Sequence, residues 1–362
     1  MITLNRELFT GALERCARVA VQKSVQPQLA HVAIKYDTNL ELLNYRATDE
    51  RLTLMGRLDA AGKGAEFTAN ARDLLGAVQS LNGATCKLDV RKDHVVVTGE
   101  LKRSFKVKTL DYADFPAVVT QADGANHELD QRAVDAINRV AFSAAADNDE
   151  RAHLRSVRLL ASKSKLMVVA SDGKRAAQCF ADYDGPDLAV TLPMSAVRLL
   201  GDVMGDASTV MLAASAGAVW FVGASESVGA SVAEAAYPPV EQMFLNTSEH
   251  HAELDSALLS ETIGAIRRAD KEGDVIITLG GEGIRVESYG DGYGVDDLNV
   301  PCAPGQIGIN SRYLLDALKC AGPTVQLGYG SDPLDPVSLT AGDWSALLMP
   351  LRMDAVRGKA KI

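Results

Sequence analysis

NRELFTGALERCARVA (residues 5–20) has two counterparts further along the chain, DQRAVDAINRVAFSAA (130–145) and DSALLSETIGAIRRAD (255–270), and the three starts lie 125 residues apart. Each opens on Asn or Asp, whose short side-chain oxygen suits a helix N-cap. Each then sets apolar residues at helical spacing: Leu8, Ala12, Leu13, Cys16; Val134, Ile137, Val140, Ala141; Leu258, Leu259, Ile263, Ile266. A second helical set follows at similar offsets, from Ala71, Met194 and Asn310, with the pairs Leu74-Leu75, Leu199-Leu200 and Leu314-Leu315 in register. Between the helices come short β-type runs such as HVVVTGE, LMVVAS and VIITLG, bounded by Gly, Asp and Asn turns. Repetition at this period means one supersecondary plan used three times. Each third reads as two copies of a strand, a helix and several more strands. Few helices among long meandering strands argue for the α+β class with antiparallel sheets. Pro, Gly and polar residues interrupt the pattern at DFPAVVTQADGAN and YPPVEQMFLNTSEH, which places three domains at 1–123, 124–248 and 249–362.

A chain of 362 residues with 47% hydrophobic and 23% charged side chains is globular rather than disordered. Its net charge of −10 opposes wholesale attraction to nucleic acid or anionic membrane, so any DNA contact is local. The charge is unevenly placed. The six helical segments carry 11 basic and 9 acidic residues, a net of +2 against −12 for the remainder. Arg6, Arg15, Arg72, Arg132, Arg139, Arg198, Arg267, Arg268, Arg312 and Lys319 are the helical candidates for phosphate contact. Five scattered cysteines without a C-x-x-C pair read as reduced, mostly buried thiols. Arg6 and Glu7 interrupt any secretory signal, and the expected location is cytoplasmic. The uncharged stretch 207–225 is cut by Ser215-Ala216-Gly217 and reads as two strands, TVMLAAS and AVWFVGAS, not a membrane span.

No catalytic constellation stands out, and neither a cofactor nor a metal site is expected. The six histidines lack H-E-x-x-H spacing, and His250-His251 read as part of a solvated linker. GGEG (280–283) and GDGYG (290–294) lack the lysine of a phosphate loop and read as turns. SDGKR (171–175) reads as a tight turn between two strands, and ALLMPLRM as an edge strand whose proline blocks further pairing.

Together with the threefold repeat, TLDYADFP (109–116), SDGKRAA (171–177), INSRYLLDALK (309–319) and the terminal LLMPLRM carry a specific resemblance. The chain resembles the bacterial sliding clamps, the β subunits of DNA polymerase III, over essentially its whole length. The resemblance implies three clamp domains per subunit, helices lining a central hole, antiparallel sheets outside, and a head-to-tail homodimeric ring. It also implies a non-catalytic processivity factor that encircles double-stranded DNA without reading its sequence. A clamp loader would open it, and it would tether DNA polymerase and repair proteins. A clamp-fold accessory protein that binds the same peptides without encircling DNA is the alternative.

The family's partner site accepts a short peptide with a glutamine and apolar anchors. The matching positions are Leu154, Ser171, Gly173, Lys174, Arg175, Ala176, Pro238, Met243, Asn310, Tyr313, Leu347, Met349, Pro350, Leu351 and Arg352. Lys174 and Ala176 depart from the more usual His and Leu, which implies a more cationic and roomier wall. By the same resemblance Lys23 and the loop around Asn148 and Arg151 correspond to DNA-contacting positions; with the helical candidates Arg72, Arg139, Arg198 and Lys319 they are expected to face DNA. The resemblance also implies ring closure by pairing of an edge strand of the first domain, KRSFKVKTL (102–110), with one of the third across subunits; Phe105, Val107, Ile266 and Arg267 are placed at that interface, with Lys102, Arg103, Lys106 and Lys108 around the first two. Arg267 stands where an apolar residue is common, so a weaker dimer is expected. The last nine residues, DAVRGKAKI, read as a basic tail.

Overall fold

The structure, a computed structural model, describes the chain apart from residues 102, 117, 119–125, 206, 215–216, 233–235, 246–247, 270–273, 282, 289–293 and 353–362. The tail 354–362, Lys102 and most of GDGYG therefore lie outside the described residues. The rest follows one element order six times over: strand, helix, three strands. The first run is β1 (Ile2–Asn5), α1 (Arg6–Val19), β2 (His31–Asp37), β3 (Leu42–Thr48) and β4 (Leu52–Gly62). The second is β5 (Ala65–Asn70), α2 (Ala71–Gln79), β6 (Thr85–Val90), β7 (His94–Gly99) and β8 (Ser104–Leu110). Then come β9 (Asn126–Asp130), α3 (Gln131–Ala141), β10 (Ser156–Ser162), β11 (Lys165–Ser171) and β12 (Arg175–Asp182), followed by β13 (Leu188–Pro193), α4 (Met194–Met204), β14 (Thr209–Ala214), β15 (Ala218–Val222) and β16 (Glu226–Ser231). The last two are β17 (His250–Asp255), α5 (Ser256–Ala269), β18 (Asp274–Gly281), β19 (Gly283–Ser288), β20 (Val295–Leu298), and β21 (Cys302–Asn310), α6 (Ser311–Ala321), β22 (Thr324–Tyr329), β23 (Val337–Ala341), β24 (Trp344–Leu348).

The helices begin where short polar side chains can take the free amides. Asn5 accepts from the Leu8 amide, Asn70 from those of Arg72 and Asp73, and Asp255 from that of Leu258. Each helix then buries one stripe: Phe9, Ala12, Leu13 and Cys16 on α1, Ala133, Val134, Ala136, Ile137 and Val140 on α3. Strands alternate buried and exposed positions as half-buried sheet strands must, as in β7 and β19. The uncharged stretch forms the hairpin β14–β15, with Trp220 and Ala213 in its core. Among the described residues no helix is long and apolar enough to cross a membrane.

Two compact units result. The first comprises Met1–Asp130 and Ser195–Val232, the second Gln131–Met194 and Ala233–Ile362. Every strand of the first unit lies in one sheet of order β1-β6-β7-β8-β5-β2-β3-β4-β16-β15-β14-β9, in which β1 also pairs with β4. The join at β4–β16 (Thr53 opposite Gly229, Met55 opposite Ser227) makes that sheet continuous with strands from 175 residues further along. The second unit has an eight-stranded sheet, β13-β10-β11-β12-β24-β23-β22-β17, and a four-stranded one, β20-β19-β18-β21. All recorded pairs are antiparallel. Two expectations are corrected here. His250 and His251 open β17 rather than lying in a linker, because their backbone pairs with Tyr329 and Gly328. The strand before Met349 is internal, paired with β12 on one side and β23 on the other, and Pro350 stands beyond its end.

TLDYADFP has a local reason in the first unit. Asp111 caps the turn by accepting from the Ala113 amide, and the turn sets Tyr112 and Phe115 on the Arg46 guanidinium, 4.9 and 5.0 Å from its carbon. Flat cation on aromatic face is favourable, more so when water is excluded.

Candidate functional site

All fifteen residues of the expected partner cleft fall in the second unit, around the turn between β11 and β12 and the end of β24. The SDGKR turn is built by its own side chains. Asp172 Oδ1 accepts from the amides of Lys174 and Arg175, Ser171 Oγ accepts from the Gly173 amide, and Ser171 Oγ donates to the Arg175 carbonyl. Gly173 has φ +83°, a left-handed conformation that a side chain would strain. The chain end is fixed to this turn: Ala176 lies opposite Leu347, Arg175 opposite Leu348, and the Met349 amide donates to the Lys174 carbonyl at 2.9 Å. The Leu351 amide then donates to the Gly308 carbonyl at 2.7 Å, which ties the segment to β21 as well.

The cleft has a buried floor and an exposed rim. Leu154, Ser171, Ala176 and Leu347 are buried; Arg175, Pro238, Asn310, Tyr313, Pro350 and Leu351 are half-buried; Gly173, Lys174, Met243, Met349 and Arg352 are exposed. Met243 and Met349, 41% and 40% exposed, present the adaptable apolar surface of the site. The more cationic wall is consistent with the exposure of Lys174. The roomier wall is not found. Ala176 is fully buried with Val169 and Val240, and the rings of Tyr237 and Phe244 pack against that group. The space left by a small residue is taken by aromatic ones. Tyr237 also accepts the Ser171 amide at its hydroxyl, and burial pushes its phenol above the ordinary range.

Arg175 is engaged inside the unit rather than open at the rim. Its guanidinium bonds Asp172 at 3.1 Å and Asp316 at 3.0 Å, and stacks 4.4 Å over the Tyr313 ring and 5.4 Å over that of Phe142. Only 10% of its side chain is exposed. Asn310 is likewise occupied. Its Oδ1 caps α6 through the amides of Arg312 and Tyr313, and its Nδ2 donates to Asp274 at 3.3 Å. Both residues position the site. Tyr237, Val240, Phe142 and Asp316 complete it and were not singled out from the sequence; Asp316 alone carried a signal, one helical turn from both Arg312 and Lys319.

The expected DNA-facing residues divide in the same way. Lys23, Arg72, Asn148, Arg151, Arg198 and Lys319 are exposed. Arg139 is not an open cation: it donates to the Cys320 carbonyl at 3.0 Å, lies over the Trp344 ring, and receives the Trp344 indole N–H at its own carbonyl. It closes the C-terminal end of α6, where carbonyls lack partners. Arg151 bonds both oxygens of Asp149 and the Asp172 carbonyl, so this loop braces the SDGKR turn. That guanidinium holds the Asp149 carboxyl down at about 2. Lys319 pairs with Asp316 at 3.3 Å.

Of the expected dimer contacts, Val107 and Ile266 are 5% and 3% exposed and belong to the core of their own units. They have almost no surface left to bury against a partner. Phe105 is half-buried, and Arg267 is exposed near the end of α5. The backbone of the expected edge strand has an open stretch. From Ser104 to Lys108, β8 pairs with β7, while its pairing with β5 is confined to Thr109 and Leu110. At the rim of the four-stranded sheet, β20 pairs with β19 alone among the described residues. The first carries exposed Lys106 and Lys108, the second exposed Asp296 and Asp297. Among the described residues no group of three or more His, Cys, Asp or Glu side chains is arranged to hold a metal.

Known proteins resemble this chain along its length. Models of the DNA polymerase III beta subunit match it twice, the N-terminal domain over residues 1–119 and the central domain over residues 128–239. The beta sliding clamp of Caulobacter vibrioides is 25% identical over 391 residues, covering 97% of this chain and 100% of the relative. That of Pseudomonas aeruginosa is 30% identical over 188 residues, about half of each chain (51% and 50%). Among solved structures, a P. aeruginosa sliding clamp bound to griselimycin superposes with a TM-score of 0.88 at 22% identity, covering 97% of this chain and 99% of the other. The DNA polymerase III beta subunit of Thermotoga maritima does so at 0.87 and 19%, covering 97% and 100%.

Proposed function

We infer that this chain, which belongs to the DNA polymerase III beta subunit family, is a DNA sliding clamp that closes as a head-to-tail pair of subunits and performs no chemistry itself. Three repeats, 1–123, 124–248 and 249–362, would supply half of the ring. The observation that carries the ring is the pair of incompletely paired strands of opposite charge. An open strand edge is a template for another chain. Lysines on β8 and aspartates on β20 select each other and disfavour self-pairing of either, as charge complementarity does at interfaces. Unlike edges meeting on two copies give a head-to-tail contact, which closes only where the rotation allows.

The cleft around Met243, Met349 and Pro350 would bind the short peptides of polymerase and repair partners, with Lys174 and Arg352 at its rim. Exposed helical and loop cations such as Lys23, Arg72 and Arg198 would touch phosphates without reading bases. Scattered contacts suit sliding, since a dense set would hold the protein in place. Loader-assisted assembly on nicked circular plasmid, compared with the same plasmid linearised and challenged at high salt, tests this reading. Retention on circles and loss from linear ends is the expected result. Equal behaviour on both would refute encirclement.

A further inference from the structure

Beside the cleft floor lies a pocket lined by Met243, Leu245, Pro336 and Leu347 on one hand and by Glu249 and Asp335 on the other. It is continuous with the cleft through Met243 and Leu347. Leu245 is 78% exposed and Met243 41%, an apolar area that water disfavours. The two carboxylates have polar neighbours, and the His250 ring stands beside Glu249 across the shared Ser331 hydroxyl. Glu249 accepts from the amide and hydroxyl of Ser331, and Asp335 from the amide of Asp332. Among the described residues neither pairs with a lysine or arginine. The Ser331 bonds hold the Glu249 carboxyl below its usual range, so it is ionised at neutral pH.

The cleft is therefore polar along its length. Leu347 marks the acidic end; two residues on, Met349 bonds the backbone of exposed Lys174, and exposed Arg352 follows. A wholly apolar side chain would leave the carboxylates unanswered, and an acidic one would be repelled. A long aliphatic stem with a cationic head answers both halves of the lining.

We propose that this pocket selects a lysine or arginine flanking the apolar anchor of the partner peptide, with the stem on Leu245 and Met243 and the head on Glu249 and Asp335. The proposal rests on the reading that the cleft binds peptides. Fluorescence anisotropy on the full chain tests it, using a labelled peptide with a glutamine and a Leu-Phe anchor in versions carrying Lys, Ala or Glu beside the anchor. In low salt the Lys version should bind about fivefold tighter than the Glu version, the size of a rim ion pair. The difference should shrink as salt is added. In the double variant Glu249→Lys, Asp335→Lys the order should reverse, and in Glu249→Gln, Asp335→Asn it should vanish, with the Ala version bound as before in both. Equal binding of all three versions by the unaltered protein would overturn the pocket's role and leave the cleft in place. Failure of every version to bind would overturn both.

Discussion

Arg151, which the resemblance sets at a DNA-contacting loop, gives a direct titration test through its bonds to Asp149. The Asp149 carboxyl is held at about 2 by the bonds from Arg151. Because the folded value is depressed, the pair's contribution is in place above the ordinary carboxylate range near about 4 and is lost as pH falls toward the folded value. NMR titration should find Asp149 ionised down to its depressed value, and Arg151→Ala should raise it part of the way back, since the residue-151 amide keeps its bond to Asp149. Arg175 offers a second test. Its fork joins Asp172 and Asp316 and stacks on Tyr313 with little exposure, so Arg175→Ala should destabilise the second unit by about 2–3 kcal/mol. Arg175→Lys should recover less than half, since an ammonium lacks the planar fork. Trp344 reports on this unit and Trp220 on the other, so urea unfolding followed in Trp220→Phe isolates the effect. The residues expected to form the cleft were named from short motifs that keep their order along the chain. Which side chains face solvent was not legible, because Arg175, Asn310 and Ala176 owe their burial to partners far away in sequence.

Helices and strands were read more fully than their pairings. The caps at Asn5 and Asp255 follow from local chemistry, and the observed helices begin within one residue of the expected starts; Leu8 and Leu258, expected in the apolar stripes, are instead exposed. The place of β24 between β12 and β23 could not be read, because strand neighbours are set by tertiary contacts and an apolar run with a proline suits a rim as well as an interior. The same holds for β20, whereas the edge at β8 was expected from the resemblance. Lys106→Glu with Lys108→Glu should weaken subunit association about tenfold or more in sedimentation at low salt. Adding Asp296→Lys with Asp297→Lys should restore it. Association unchanged by the first pair would show that the contact lies elsewhere. The exposed Arg267 adds a test of its own, since Arg267→Leu should tighten association if that helix end meets the partner.

At the scale of the molecule, the chain's own acids answer part of its helical positive charge. Arg15 is tied to Glu226, Arg132 to Asp182, and Arg312 and Lys319 to Asp316, so several helical cations are answered within the chain. Binding to linear duplex without a loader should be weak, with a slope of log K against log salt no steeper than about −3. A slope near about −6 would mean a much denser phosphate contact. The repeated strand, helix, strands plan was legible because it rests on helix spacing, which recurs in sequence. The two-unit grouping was not, because it depends on β4 meeting β16 and β12 meeting β24, joins with no local signal. Those joins also order events at the ribosome. The first unit takes its last strand from residues ending at Val232, after Gln131–Met194, which belong to the other unit, have emerged. A chain stalled near residue 195 holds β4 without β16, an unfinished edge that recruits other chains. Such a nascent chain should be cut readily by protease within the first unit until Ser231 has cleared the exit tunnel, so synthesis past that point, rather than completion of the first repeat, is what makes the growing protein safe from aggregation.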